Sequence, residues 1–170
     1  MEPDYIDIYI AEWRRERPDL DATPMGIIAR IGRLSRLFDA ALLVVFSRYG
    51  VTSGEFEVLT ALRRAGRPYQ LSPSELARAM LLSAGAMTNR IDRLVEAGLV
   101  ERTDDPTDRR GAPVRLTPRG QSLIDQAIVD HFANEQQLLA ALPACEQEQL
   151  AALLRKLIGS FEPRAHPSDG

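Results

Sequence analysis

Apolar positions recur along most of this chain at three- and four-residue steps, the spacing of amphipathic helices. Residues 3–14 carry Tyr5, Ile6, Ile8, Tyr9, Ile10 and Trp13 and predict a short helix, which RPDLDATP then breaks. A long helix is predicted from Pro24 to about Tyr49, with Ile27, Ile28, Ile31, Leu34, Phe38, Leu42 and Phe46 as its stripe. Thr23 is placed to cap it, with Pro24 in the first helical position, where a missing N–H costs nothing. Gly50 ends it. Thr52 or Ser53 opens the next helix, striped by Phe56, Leu59, Thr60 and Leu62 and stopping near Gly66.

Ser72-Pro73-Ser74-Glu75 is a capping box with proline in the first helical position, and the helix it starts runs to about Met80. After the short turn LLS, a second helix starts near Ser83 and ends at Gly98. So short a connection sets two helices at a steep angle, as in a helix-turn-helix. The period then changes from helical spacing to alternation in LVERT (99–103) and APVRLT (112–117), with turn formers Asp104, Asp105, Pro106, Thr107 and Gly111 between them. This predicts a β-hairpin with a long, mobile, basic tip. Thr117-Pro118 starts a long helix to about Leu142, Pro143 interrupts, and a last helix spans roughly 145–161 with Leu150, Leu153, Leu154, Leu157 and Ile158.

The expected fold is therefore mainly α with a small β-hairpin wing, a winged helix-turn-helix. Residues 1–22 form an N-terminal extension, 51–117 the winged lobe and 162–170 a flexible tail. The helices at 23–50 and 118–161 carry more apolar surface than one small winged lobe can cover, which points to a homodimer.

Composition narrows the function classes. The longest apolar run, AALLVVF, is far short of the roughly 18 residues a membrane span needs, and the acidic start MEPDYIDIYIAEW is not a secretory leader. The single cysteine, Cys145, excludes an intrachain disulfide, and the expected location is cytoplasmic. The only histidines are His131 and His166. No catalytic triad, metal-spaced cluster or phosphate-binding glycine loop is visible, so neither an enzyme, a metal nor a cofactor is expected.

Charge adds one feature. The whole chain has a formal net charge of −3, yet Arg78 to Arg119 holds eight arginines against six carboxylates. On the second helix of the pair, with Met87 set to face the core, Ile91 and Leu94 fall within roughly 40° of it on a helical wheel. Gly85, Ala86, Asn89, Arg93 and Glu96 occupy the opposite arc. Small residues such as Ala84 and Ala86 allow close approach to a groove wall. Asn89 can pair with an adenine edge and Arg93 with guanine or phosphate. Ser83, with Thr88 on the same helix, offers donors near a helix N-terminus that suits a phosphate. Asp108, Arg109 and Arg110 mark the wing tip, where a guanidinium can enter a narrow minor groove. Each residue alone also fits a solvated helix face; the order of the motifs selects double-stranded DNA as the partner.

DDPTDRRGAPVRLTPRG, directly after RIDRLVEAGLVER, resembles the wing of the MarR family of transcriptional regulators, with their Asp-x-Arg element at Asp108 and Arg110. The likeness spans about residues 24–161. The extension with Trp13, EFEVLTALRRAGRPYQLSPSELARAMLLSAGAMTNRIDRL and EAGLVERTDDPTDRRG resemble the urate-responsive, PecS- and HucR-like branch. That resemblance implies a ligand-linked set of Trp13, Glu57, Arg90 and Arg102, with glutamate at 57 where the branch usually has aspartate.

It also implies a homodimer that grips a pseudo-palindromic operator and is released, most plainly as a repressor, by a small anionic effector such as urate. Independently of the resemblance, Arg90 lies about 60° from the core direction of its helix, where an arginine wants an anionic partner; Glu57 and an anionic ligand both qualify. Two other readings stay open: a MarR-like regulator of a different aromatic or carboxylic acid, and a winged-helix module that binds protein alone.

Overall fold

The computed structural model describes residues 2–103 and 112–161. Two compact units meet between His131 and Phe132.

In the first unit, helix α1 (Tyr5–Glu16) begins at a capping box in which Asp4 and Asp7 satisfy each other's backbone N–H groups. Helix α2 (Met25–Arg48) follows. Pro24, not Thr23, occupies its cap position, with no side-chain cap bond. Thr23 is drawn into a turn upstream instead, where its N–H donates to Asp21 Oδ1 at 2.9 Å. Helix α3 (Ser53–Arg64) opens on a reciprocal box between Thr52 and Glu55. Helices α4 (Pro73–Ala79) and α5 (Ala84–Glu96) form the steep pair, capped by Ser72 and Ser83. Gly98, at φ +68°, takes the left-handed position that closes α5.

The wing contains one more strand than the sequence pattern predicts. Strands β1 (Gln70–Leu71), β2 (Val100–Arg102) and β3 (Val114–Leu116) form an antiparallel sheet in the order β1-β3-β2. Leu71 faces Val114, and Val100 faces Leu116. A two-residue strand is too short to show alternation, so only its partner reveals it.

The core lies in the winged lobe. Val58, Leu59, Leu62, Leu76, Met87, Ile91, Val114 and Ile124 are all inaccessible to solvent. Helix α6 (Pro118–Leu138) is keyed to the wing by Thr117. The Thr117 hydroxyl accepts from Gly120 N at 3.0 Å and donates to Gly98 O at 2.8 Å. Gly120 packs so closely on Leu99 that an added Cβ would overlap the Leu99 carbonyl. Arg63 of α3 reaches Asp125 of α6 at 2.6 Å, and the Tyr49 hydroxyl donates to Asp130 at 2.8 Å.

The second unit holds the end of α6 and helix α7 (Ala144–Ile158). The Gln147 side chain donates to the Leu139 and Leu142 carbonyls. It thereby satisfies carbonyls just beyond the end of α6, which stops at Leu138, short of the predicted Leu142. No residue of α7 is buried.

The apolar stripe expected on α2 is also largely uncovered. Ile27 and Ile28 are 63% and 64% exposed, and only Val45 and Phe46 on this helix are buried.

Candidate functional site

Two regions of the winged lobe carry the residues singled out by the sequence. The first is the outward face of α5. Its N-terminus is shaped by Ser83, whose Oγ accepts from Ala86 N at 3.3 Å, leaving the hydroxyl hydrogen available to a phosphate. Ala84, Gly85, Thr88, Asn89 and Arg93 are exposed, and Ala86 is half-buried. Thr88 donates its hydroxyl back to Ala84 O at 3.0 Å. Met87, Ile91 and Leu94 hold the opposite side of the helix in the core. A shallow concavity between α4 and α5 is lined by Pro73, Ala77, Gly85 and Asn89. This is a convex helix with small residues at its tip and an amide and a guanidinium behind, the shape that a major groove admits. Asp108, Arg109 and Arg110 lie outside the described residues.

The second region lies behind α5. Arg90 Nη1 is 3.1 Å from Glu57 Oε2 and 3.4 Å from the Gly54 carbonyl. The guanidinium lies across the first turn of α3, in space that a side chain at Gly54 would fill. Arg102 makes a different pair, with Asp92 of α5 at 2.8 Å. The two ion pairs therefore reach α5 from two sides, from α3 and from β2.

Trp13, half exposed on α1, has no hydrogen bond or ion pair to the other three residues among those described. Its helix is held to α2 by Arg30. The Arg30 guanidinium contacts Asp4 at 2.9 Å and Asp7 at 2.8 Å. Those bonds hold the Asp4 carboxyl down at about 2 and lower that of Asp7. Of the expected four-residue set, the structure thus joins Glu57 to Arg90 directly, ties Arg102 to the same helix as Arg90, and leaves Trp13 on a separate element.

Sequence reasoning did not foresee what surrounds Glu57. A cavity of about 460 Å³ opens on α3, with Glu57, Thr60 and Arg64 along one wall. Phe46, Phe56 and His131 form an aromatic floor, with ring centroids 4.5, 4.8 and 5.8 Å apart. Glu57, Thr60 and Arg64 recur at helical spacing on α3, which was the available sequence signal; Thr60 read instead as part of the apolar stripe, and Arg64 carried no assignment. Among the described residues, no cluster of three or more His, Cys, Asp or Glu is placed to hold a metal, and Cys145 is exposed.

Comparison with known proteins places these features in one lineage. A profile described as the MarR family matches residues 49–111. Over 155 residues the chain is 40% identical to the HTH-type transcriptional regulator PecS of Dickeya dadantii, covering 90% of this chain and 93% of that one. Among solved structures, an Escherichia coli MarR variant complexed with operator DNA aligns with a TM-score of 0.69 at 30% identity, over 85% of this chain and 96% of that one. Bordetella bronchiseptica BpsR, solved in a study of how 6-hydroxynicotinic acid regulates its DNA binding, aligns with a TM-score of 0.67 at 26% identity, over 78% and 93% of the two chains. These relatives are regulators and not enzymes. The chain belongs to the MarR family of transcriptional regulators.

Proposed function

We propose that this protein is a homodimeric repressor that binds a pseudo-palindromic operator and is released from it by a small anionic effector of the urate or oxopurine type. The observation that carries this reading is the ion pair between Arg90 on the recognition helix and Glu57 on the wall of the cavity. A molecule in the cavity that competes for Arg90, or repels Glu57, acts on the helix that enters the major groove. It shifts the DNA-binding equilibrium only as far as it binds the two states unequally, and about 1.4 kcal/mol of difference is a tenfold change.

Ser83, Ala84, Ala86, Thr88, Asn89 and Arg93 form the groove-reading face, with Asp108, Arg109 and Arg110 on the wing. Trp13 and Arg102 complete the effector-responsive set. Dimerisation is supported by exposed apolar residues on α2 and α7, among them Ile27, Ile28, Leu153 and Ile158. Apolar surface left uncovered on a helix marks an interface.

A second reading has its own support. The aromatic floor suits any planar acid, and BpsR, a relative of this chain, is regulated by 6-hydroxynicotinic acid. Mobility shift of DNA from upstream of the protein's own gene, with urate and 6-hydroxynicotinate added in turn, separates the two. Absence of any shift at low salt refutes operator binding altogether.

A further inference from the structure

The cavity beside Glu57 has a polarity that the Glu57–Arg90 pair does not explain. Ser53, Glu57, Thr60 and Arg64 follow one another along α3 at three- and four-residue steps, and all four line the cavity. Glu57 is already engaged by Arg90. The Thr60 hydroxyl is buried and has no hydrogen-bond partner. Threonine in a helix ordinarily satisfies that group on the carbonyl one turn back, and a buried polar atom left open costs free energy unless something else satisfies it. Arg64, at the far end of the row, makes no ion pair among the described residues, whereas its neighbour Arg63 is bound to Asp125. It is the one cation among the residues that line the cavity.

The floor supplies the other half of the recognition. Phe46, Phe56 and His131 form a ring cluster with centroids 4.5–5.8 Å apart along the cavity, and a flat ring can join such a cluster edge-to-face or offset. The cavity's 460 Å³ lies at the lower end of the range for small-molecule sites.

We propose that Arg64 is the charge-selecting residue of this cavity: a planar aromatic monoanion stacks on the Phe46–Phe56–His131 floor, hydrogen-bonds to Thr60 and places its negative charge on Arg64. The anion's far edge then lies toward Glu57, so selection of charge at one end of α3 is coupled to the grip on Arg90 at the other. This inference rests on the effector-release reading above, but it concerns a residue outside the Trp13, Glu57, Arg90 and Arg102 set.

The test is calorimetric titration of the full chain with urate, with 6-hydroxynicotinate and with the neutral 6-hydroxynicotinamide, followed by DNA release with the same compounds. Arg64→Gln should weaken the preferred anion about tenfold or more, the scale of a lost hydrogen bond to a charged group, and leave the neutral amide within about twofold. Arg64→Lys should recover part of the anion's affinity. Thr60→Val, a change of similar shape, should weaken both anion and amide. Which of the two anions binds more tightly distinguishes an oxopurine from an aromatic carboxylate. Equal losses for anion and amide in Arg64→Gln, or no loss for either, overturn the inference. If the anion still releases DNA from Arg64→Gln with wild-type affinity, the inference fails and the release reading stands. If binding depends on Arg64 but DNA is never released, the inference stands and the release reading fails. Absence of binding by the wild-type chain contradicts both.

Discussion

Arg90 Nη1 stands 3.1 Å from Glu57 Oε2, and this ion pair joins α5 to the wall of the cavity beside it. Its side chains are 30% and 53% exposed, so solvent screens the pair and its contribution to stability is small, about 0–1 kcal/mol. It is suited to a switch for that reason: it positions a helix without holding the fold together. Glu57→Gln should therefore move the urea midpoint by no more than about 1 kcal/mol of folding free energy. A loss of several kcal/mol would make the pair structural.

Gly54 bears on the same pair. A Cβ there meets Arg90 Nε at 2.6 Å and Nη1 at 2.7 Å. The obstacle is the end of a flexible side chain, so Gly54→Ala should fold normally, helped by the better helix propensity of alanine. It should displace Arg90 from Glu57 and weaken operator binding several-fold even without effector. Fluorescence anisotropy on labelled operator reads this directly; unchanged affinity would mean that Arg90 has an equally good position elsewhere.

Gly120→Ala is the contrasting case. Here the added Cβ meets the Leu99 backbone, which cannot swing aside. A cost of about 1–3 kcal/mol is expected, as for overpacking in a tight core, read as a lower urea midpoint with loss of DNA binding in proportion to unfolding. A neutral substitution would show that the joint between wing and α6 is looser than its hydrogen bonds indicate.

The N-terminal clamp makes a pH prediction. Arg30 holds the Asp4 carboxyl at about 2, below its usual 3.8. A lowered folded-state value contributes stability that is complete above the unfolded value and is lost as pH falls through the folded one. Docking of α1 should be constant from pH 7 to pH 4 and weaken only between about pH 3.8 and pH 2. Hydrogen exchange of the α1 amides, or Trp13 emission, follows it. Release with a midpoint near pH 5 would exclude Asp4 as the titrating group.

Much of this fold was legible in the sequence, and the reasons are physical. Capping boxes at Thr52 and Ser72, the serine cap at Ser83 and the glycine at position 98 leave local marks, and those boundaries agree with the structure. Met87, Ile91 and Leu94 were placed by periodicity because a helix packed on one side must bury one face. What was not legible depends on partners distant in sequence. Strand β1 exists because β3 lies beside it. The shift of the cap from Thr23 to Pro24 is instead local, in a turn where the Thr23 N–H donates to Asp21. Arg90 could be assigned an anionic partner from the wheel, but Asp92 as the partner of Arg102 required the β2–α5 geometry. The rest of the cavity was invisible because Arg64 carried no assignment and Thr60 read as part of the apolar stripe, until α2, α4 and α6 supplied the other walls.

The most direct test of the account is an anisotropy titration of operator-bound protein with urate and with 6-hydroxynicotinate, run in parallel on the wild-type chain and on Arg90→Ala. One of these anions should release DNA from the wild type, and Arg90→Ala should need at least about tenfold more of it, about 1.4 kcal/mol of lost coupling. Release from both proteins at the same effector concentration would contradict it, because the signal would then reach the DNA without passing through Arg90.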